Sequence, residues 1–248
     1  MTRVTLMDGR FLFIGHRGLR EREVENTARG FQLAKDAGLD GIEMDVQLSR
    51  DKEIIVYHDY YAGRLTGLEG MIYDYDYQYL KGASIEGTGE RIPLLSQVIE
   101  RVGKFLYFIE LKTLDDDFNE VNQGLVEKVV SLVKQFPHIN EVLISFNINS
   151  INTVKRIDRN IKTGFLFDRE SIERDKNINE EYLLSLETDY LLPSFDLSEI
   201  IHFHAMRNQG KKIIFWNVND ISEAKRARSI GASGIISDYC LSIRDELR

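Results

Sequence analysis

Short apolar runs of strand length alternate with segments of helical spacing along almost the whole chain, and this alternation restricts the fold more than any other feature. The apolar runs fall at 11–15, 41–48, 52–58, 104–111, 141–145, 163–167, 190–193, 211–216 and 234–237. Between them, 24–37, 95–102, 118–136, 148–157, 178–186, 197–208, 221–230 and 239–247 read as helices. Short apolar runs bounded by glycine are the mark of parallel strands buried on both faces. About eight strand–helix units is the number a closed parallel barrel needs, and 248 residues matches the roughly 250 typical of one. The expected fold is therefore α/β, a (β/α)8 TIM barrel, with 1–248 as a single domain. A doubly wound open sheet is the rival, but no G-x-G-x-x-G follows the first strand.

One segment breaks the alternation. Residues 60–91 carry Gly63, Gly67, Gly70, Gly82, Gly87 and Gly89, with tyrosines at Tyr73, Tyr75, Tyr77 and Tyr79. That length exceeds an ordinary connection, so the segment reads as a small insertion or cap after the second strand region, its tyrosines packing on the barrel rim.

The polar residues inside the strands point to chemistry. Side chains alternate along a strand, so Ile42, Met44, Val46 and Leu48 share one face of 41–48 while Glu43, Asp45 and Gln47 share the other. Two neighbouring carboxylates inside a barrel repel each other and are costly to bury unpaired. A divalent cation removes both costs, and oxygen ligands suit a hard ion such as Mg2+ or Ca2+. Glu110, near the end of FLYFIELK, occupies a similar position. Glu43, Asp45 and Glu110 are thus the expected metal ligands. His16 and His58 also fall at the ends of strand-like runs, as do Lys112, Ser145 and Trp216. In a barrel those C-terminal ends form the active face.

His16-Arg17-Gly18, Glu25-Asn26-Thr27, Glu43-x-Asp45 and His58-Asp59, in this order and spacing, resemble the opening of the glycerophosphodiester phosphodiesterase family. Arg64-Leu65-Thr66-Gly67, Ile92-Pro93-Leu94-Leu95, Ser145-Phe146 and Gly234-Ile235-Ile236-Ser237-Asp238 extend the likeness over nearly the whole chain. Two departures stand out. The usual T-x-D-G turn reads Ser49-Arg50-Asp51-Lys52, and the usual W-T-V-N reads Trp216-Asn217-Val218-Asn219. The resemblance implies hydrolysis of a glycerophosphodiester to glycerol 3-phosphate and an alcohol such as choline or ethanolamine. It also implies that the glycerol hydroxyl attacks first, giving a cyclic phosphate that water opens. Trp216 looks like the family's aromatic contact to the glycerol part.

Such a cleavage needs charge stabilisation, an activated nucleophile and a proton for the leaving group. A metal on Glu43, Asp45 and Glu110 would act as the Lewis acid. Arg17 and Lys112 would add positive charge at the phosphate. His16 and His58 suit the two proton transfers, since an unperturbed imidazole titrates near ~6.5. The sequence does not say which is acid and which is base. A lysophospholipase D or sphingomyelinase-like enzyme with the same site is the alternative. A non-catalytic phosphate-binding barrel ranks below both, because both histidines and all three carboxylates are present.

Composition narrows the classes further. A formal net charge of −8 argues against general nucleic-acid binding. Cys240 is the single cysteine, so no internal disulfide can form. No apolar run is long enough to span a bilayer, and MTRVTLMDGR runs almost directly into the first strand without a signal peptide, which makes a cytoplasmic location the expectation. The acidic run 115–117 reads as the start of the helix at 118–136, where carboxylates favour the dipole. His138, after Pro137, reads as an exposed loop residue, and His202 and His204, two apart on a helix, do not share a face, so no zinc site is expected from them. The oligomeric state is left open.

Overall fold

The computed structural model of the chain describes residues 9–85 and 87–247. The opening residues, read above as leading straight into the first strand without a signal peptide, lie mostly outside the described part. The strands are β1 (Leu12–Gly15), β2 (Gly41–Leu48), β3 (Ile54–Val56), β4 (Leu106–Leu111), β5 (Asn140–Ser145), β6 (Lys162–Phe167), β7 (Tyr190–Pro193), β8 (Lys212–Phe215) and β9 (Gly234–Ser237). Among the described residues, all of these except β3 form a parallel sheet that closes on itself through β1 and β2. This is the TIM barrel expected from the alternation, with helices between the strands.

Two apolar layers hold it together. Inside, Ile14, Phe108, Ile144, Leu166, Leu192, Ile214 and Ile236 fill the barrel. Outside, the opposite faces of the same strands, including Ile42, Met44, Val46 and Leu48 of β2, pack against helix residues such as Phe31, Val98 and Val129. Burial on both faces explains why the strands read as nearly continuous apolar runs. Among the described residues, no helix is long and apolar enough to cross a membrane.

The run at 52–58 is not a stave of the barrel. β3 is antiparallel to β2, with Val56 opposite Val46, and its other edge meets Leu94, so it does not lie beside β1. The hairpin carries the chain back down β2 until Tyr57 N donates to Asp45 O over 3.0 Å. That reversal delivers His58 to the level of the carboxylates. The chain then passes through two one-turn helices, Gly63–Thr66 and Tyr77–Leu80, around a small cluster of Ile55, Tyr57, Ala62, Ile72, Leu80 and Ile92.

Several helices are shorter than their spacing predicts. The helix expected over 24–37 begins at Ala28, capped by Thr27 Oγ1, which accepts from Gly30 N over 3.0 Å. Residues 24–26 are drawn into a loop in which Asn26 has φ 55°. The helix expected over 118–136 is only Leu125–Val133, because Phe118, Asn122 and Gly124 all take positive φ. The acidic run therefore does not start that helix. Asp115 Oδ1 instead accepts from the backbone of Asp117 and Asn119, closing a turn of its own loop. The segments at 178–186 and 197–208 each yield less helix than expected: Glu180–Ser185 in the first, and the 3-10 turn Phe195–Glu199 with the short helix His204–Asn208 in the second.

Candidate active site

β1 ends in a turn that only glycine permits. A Cβ on Gly15 would sit 2.4 Å from Gly18 O, and Gly18 itself has φ 97°. Arg17, between them, is held at φ 52°, a region uncommon for a residue with a side chain. Its backbone is pinned from both sides: Arg17 N donates to Glu43 Oε2 over 3.0 Å, and Asn26 N donates to Arg17 O over 2.9 Å.

His16 starts this turn. Its Nδ1 lies 2.7 Å from Asp238 Oδ1, and its Nε2 lies 3.9 Å from Glu43 Oε2. Burial pulls the imidazole pKa below its usual value, against the opposing pull of Asp238. Asp238 also takes Arg20 Nη1 at 2.6 Å and Asn219 Nδ2 at 2.9 Å. Burial disfavours its charge, but His16, Asn219 and Arg20 hold the carboxyl well below the usual range. His58 repeats the arrangement, with Nδ1 2.7 Å from Asp59 Oδ1. An ionised aspartate on Nδ1 keeps the proton there and leaves Nε2 free for chemistry.

The carboxylates converge as the strand pattern predicts. β2 and β4 are neighbours with Asp45 opposite Glu110, and oxygens of Glu43, Asp45 and Glu110 lie within 4.8 Å of one another. Their surroundings differ. Burial, then the charges of Asp45 and Glu110, push the Glu43 pKa well up. Asp45 is equally buried, yet Arg17, His58, Lys112 and the 2.8 Å bond from Asn26 Nδ2 hold its carboxyl far below the usual range. An all-oxygen set fits a hard divalent cation, which would also offset the repulsion among the three carboxylates. Lys112 Nζ sits 3.5 Å from Glu110 Oε1 and 5.3 Å from the centre of the Tyr60 ring. Burial opposes its charge, but Glu110 and Asp45 raise the ammonium pKa above the usual lysine value.

These groups open into one cleft of about 330 Å³. His16, Arg17, Glu43, His58, Glu110, Lys112 and Trp216 all line it, while Asp45 is buried beneath the surface and does not. Trp216 donates Nε1–H to Leu192 O over 2.8 Å and stands edge-on to Phe146 at 5.5 Å, so its ring rather than its N–H is offered to the cleft. Asp115, Asp116, Asp168 and Glu170 line the outer wall. Tyr60 is there too, while Tyr73, Tyr75, Tyr77 and Tyr79 are not. His138, His202 and His204 are exposed and away from it.

Four contributors were not identified from sequence. Gln47 is fully buried and donates through Nε2 to Tyr57 O at 2.8 Å and Asp59 O at 2.9 Å, holding the turn that carries His58. Its place two residues beyond Asp45, on the same strand face, was the available signal. Asp238 was visible only at the end of a family-like segment, and Arg20 carried no signal at all. Glu25, visible only as part of a motif, accepts from Arg17 Nη1 at 2.8 Å and Arg64 Nη2 at 2.6 Å. Burial opposes its charge, but Arg64 and Arg17 hold its carboxyl below the usual range.

Comparison with known proteins points to one family. The model of the Glycerophosphoryl diester phosphodiesterase family matches residues 16–241. A glycerophosphodiester phosphodiesterase of Caldanaerobacter subterraneus subsp. tengcongensis is 32% identical over 92% of this chain and 93% of its own. A lysophospholipase D of Rattus norvegicus is 26% identical over 94% of this chain and 85% of its own. The crystal structure of the Thermotoga maritima glycerophosphodiester phosphodiesterase superposes with a TM-score of 0.79 at 26% identity, covering 96% of this chain and 98% of that one. An Oleispira antarctica phosphodiesterase in complex with the product sn-glycerol-3-phosphate gives a TM-score of 0.79 at 25% identity, over 94% and 95% of the two chains.

Proposed function

The chain belongs to the glycerophosphoryl diester phosphodiesterase family, and on that premise we propose that it cleaves glycerophosphodiesters to glycerol 3-phosphate and an alcohol by paired histidine proton transfer beside a divalent cation. The observation that carries this reading is the construction of the two histidines. Each has Nδ1 tied to an aspartate at 2.7 Å, and both line the cleft that holds Glu43 and Glu110.

Glu43, Asp45 and Glu110 would hold the cation, Mg2+ or Ca2+, which when bound supplies Lewis-acid stabilisation to the phosphoryl oxygens. Arg17 and Lys112 add fixed positive charge beside the phosphate. One imidazole accepts the proton of the attacking glycerol hydroxyl while the other gives a proton to the departing alcohol as its P–O bond breaks. Water then opens the cyclic ester with the roles reversed. Trp216 packs its ring on the glycerol carbons, and Tyr60 walls the cleft beside Lys112. The carboxylates of Asp115, Asp116, Asp168 and Glu170 on the outer wall favour a small cationic alcohol over an acyl-bearing lysolipid.

Release of glycerol 3-phosphate from glycerophosphocholine, with Mg2+ or Ca2+ added and with chelator, tests this reading beside His16→Ala and His58→Ala. Activity that survives chelator refutes the metal's role, and a variant matching the parent refutes that histidine's. Faster turnover of lysophosphatidylcholine than of glycerophosphocholine would replace the substrate reading with that of a lysophospholipase D.

A further inference from the structure

The two histidines share a construction that extends beyond their aspartates. Arg20 Nη1 donates at 2.6 Å to Asp238 Oδ1, the oxygen that His16 Nδ1 meets. Arg64 Nη2 donates at 3.1 Å to Asp59 Oδ1, the oxygen that His58 Nδ1 meets. Each imidazole is thus followed by an aspartate and then an arginine. Both arginines end on one carboxylate: Arg64 Nη2 is 2.6 Å from Glu25 Oε1, and Arg20 Nη2 is 3.3 Å from Glu25 Oε2.

We propose that Glu25 is a positioning residue common to both histidines, orienting His16 through Arg20 and Asp238 and His58 through Arg64 and Asp59. The proposal rests on the reading of His16 and His58 as the proton-transfer groups. Its physical basis is the freedom of the arginines. Their side chains are 33% and 45% exposed, while that of Glu25 is 4% exposed. A long side chain fixed at one end retains most of its rotamer freedom, and the aspartate it touches retains some too. Glu25 fixes the far end of both. The direction of each Nδ1–H···Oδ bond then sets where Nε2 points, as outer partners orient the ligating histidines of metal sites. Glu25 does not cap the following helix, since that cap is Thr27. Its third partner, Arg17, lies at the phosphate side, so disturbance there appears in KM and the two relays are read from kcat.

The test uses Glu25→Gln, Arg20→Gln and Arg64→Gln, singly and with Glu25→Gln combined with each arginine change. The Nδ1–H resonances of 15N-histidine-labelled protein, taken without substrate, report each ring separately. Glu25→Gln is expected to shift both, Arg20→Gln only that of His16, and Arg64→Gln only that of His58. In steady-state assays kcat for Glu25→Gln is expected to fall about 10- to 100-fold. Each arginine change should cost less in the Glu25→Gln background than in the parent, because both act along one chain of contacts. Unmoved resonances in Glu25→Gln, or strictly additive double variants, overturn the proposal. If Glu25→Gln does not fold, Glu25→Asp keeps the charge but is too short to span both arginines. It moves both rings if Glu25 acts by position, and neither if it only balances charge. The resonance pattern is independent of turnover, so loss of the catalytic reading through an active His16→Ala variant stays distinguishable from loss of this one.

Discussion

Gln47→Met separates the task of holding His58 from that of stabilising the barrel. Methionine keeps the length and approximate volume of the side chain but removes its donations to Tyr57 O and Asp59 O, at 2.8 and 2.9 Å. A net contribution of roughly 0.5–1.5 kcal/mol per hydrogen bond puts the direct loss at about 1–3 kcal/mol. Part of it returns, because Gln47 Oε1 is buried without a hydrogen-bond partner and that orphan disappears with the amide. The expected net loss is about 1–2 kcal/mol, which for a chain of this size lowers Tm by roughly 2–8 °C. The effect on turnover is larger than that loss suggests. The two carbonyls flank His58, and a displacement of ~1 Å in a reacting group costs about 100-fold. kcat is expected to fall about 10- to 100-fold while KM stays near the parent value, since Arg17 and Lys112 are untouched. Thermal unfolding and coupled detection of glycerol 3-phosphate, both on purified protein below the lowered Tm, read the two quantities. A variant with the expected loss of Tm and an unchanged kcat would refute the positioning argument, leaving Gln47 as a core residue only.

Two further changes test the account of the fold. Gly15→Ala places a Cβ 2.4 Å from Gly18 O and 3.1 Å from Leu39 Cδ1, so the His16-Arg17-Gly18 turn has to shift. A loss of about 1–3 kcal/mol in denaturant unfolding, with a drop in kcat, is expected; parental values for both would show that the turn is not tight. Asp189 accepts from Lys155 Nζ at 2.8 Å and Thr163 N at 3.1 Å, and although burial opposes its charge these partners and Lys162 lower its pKa from 3.8. A depressed native pKa stabilises the fold fully above the unfolded value and ceases to do so as pH falls through the native one. Asp189→Asn should therefore be about 1–3 kcal/mol less stable than the parent at pH 7, with the gap closing as pH is lowered from about 4. A gap of constant size down to pH 2 would contradict the assignment.

Much of this protein can be read along the chain. A period of two in β2 sets Glu43, Asp45 and Gln47 on one face, and the repeat of strand and helix implies a barrel whose strand ends bear the chemistry. These are local patterns, in which each residue's surroundings follow from neighbours a few positions away. Three matters required the folded molecule. The run at 52–58 has strand composition like the others, yet it pairs back on β2, and only pairing between distant segments tells a stave from a hairpin arm. Residues 24–26 and 118–124 have helical spacing, but positive φ at Asn26, Phe118 and Asn122 turns them into loops, because contacts at the cleft outweigh a weak local propensity. Arg20, Glu25 and Asp238 take their roles from one another: Arg20 and Asp238 meet at 2.6 Å across 218 positions. Periodicity records which face a side chain occupies, whereas a hydrogen bond between the ends of β1 and β9 depends on how the sheet closes on itself, and no stretch of neighbouring residues carries that information.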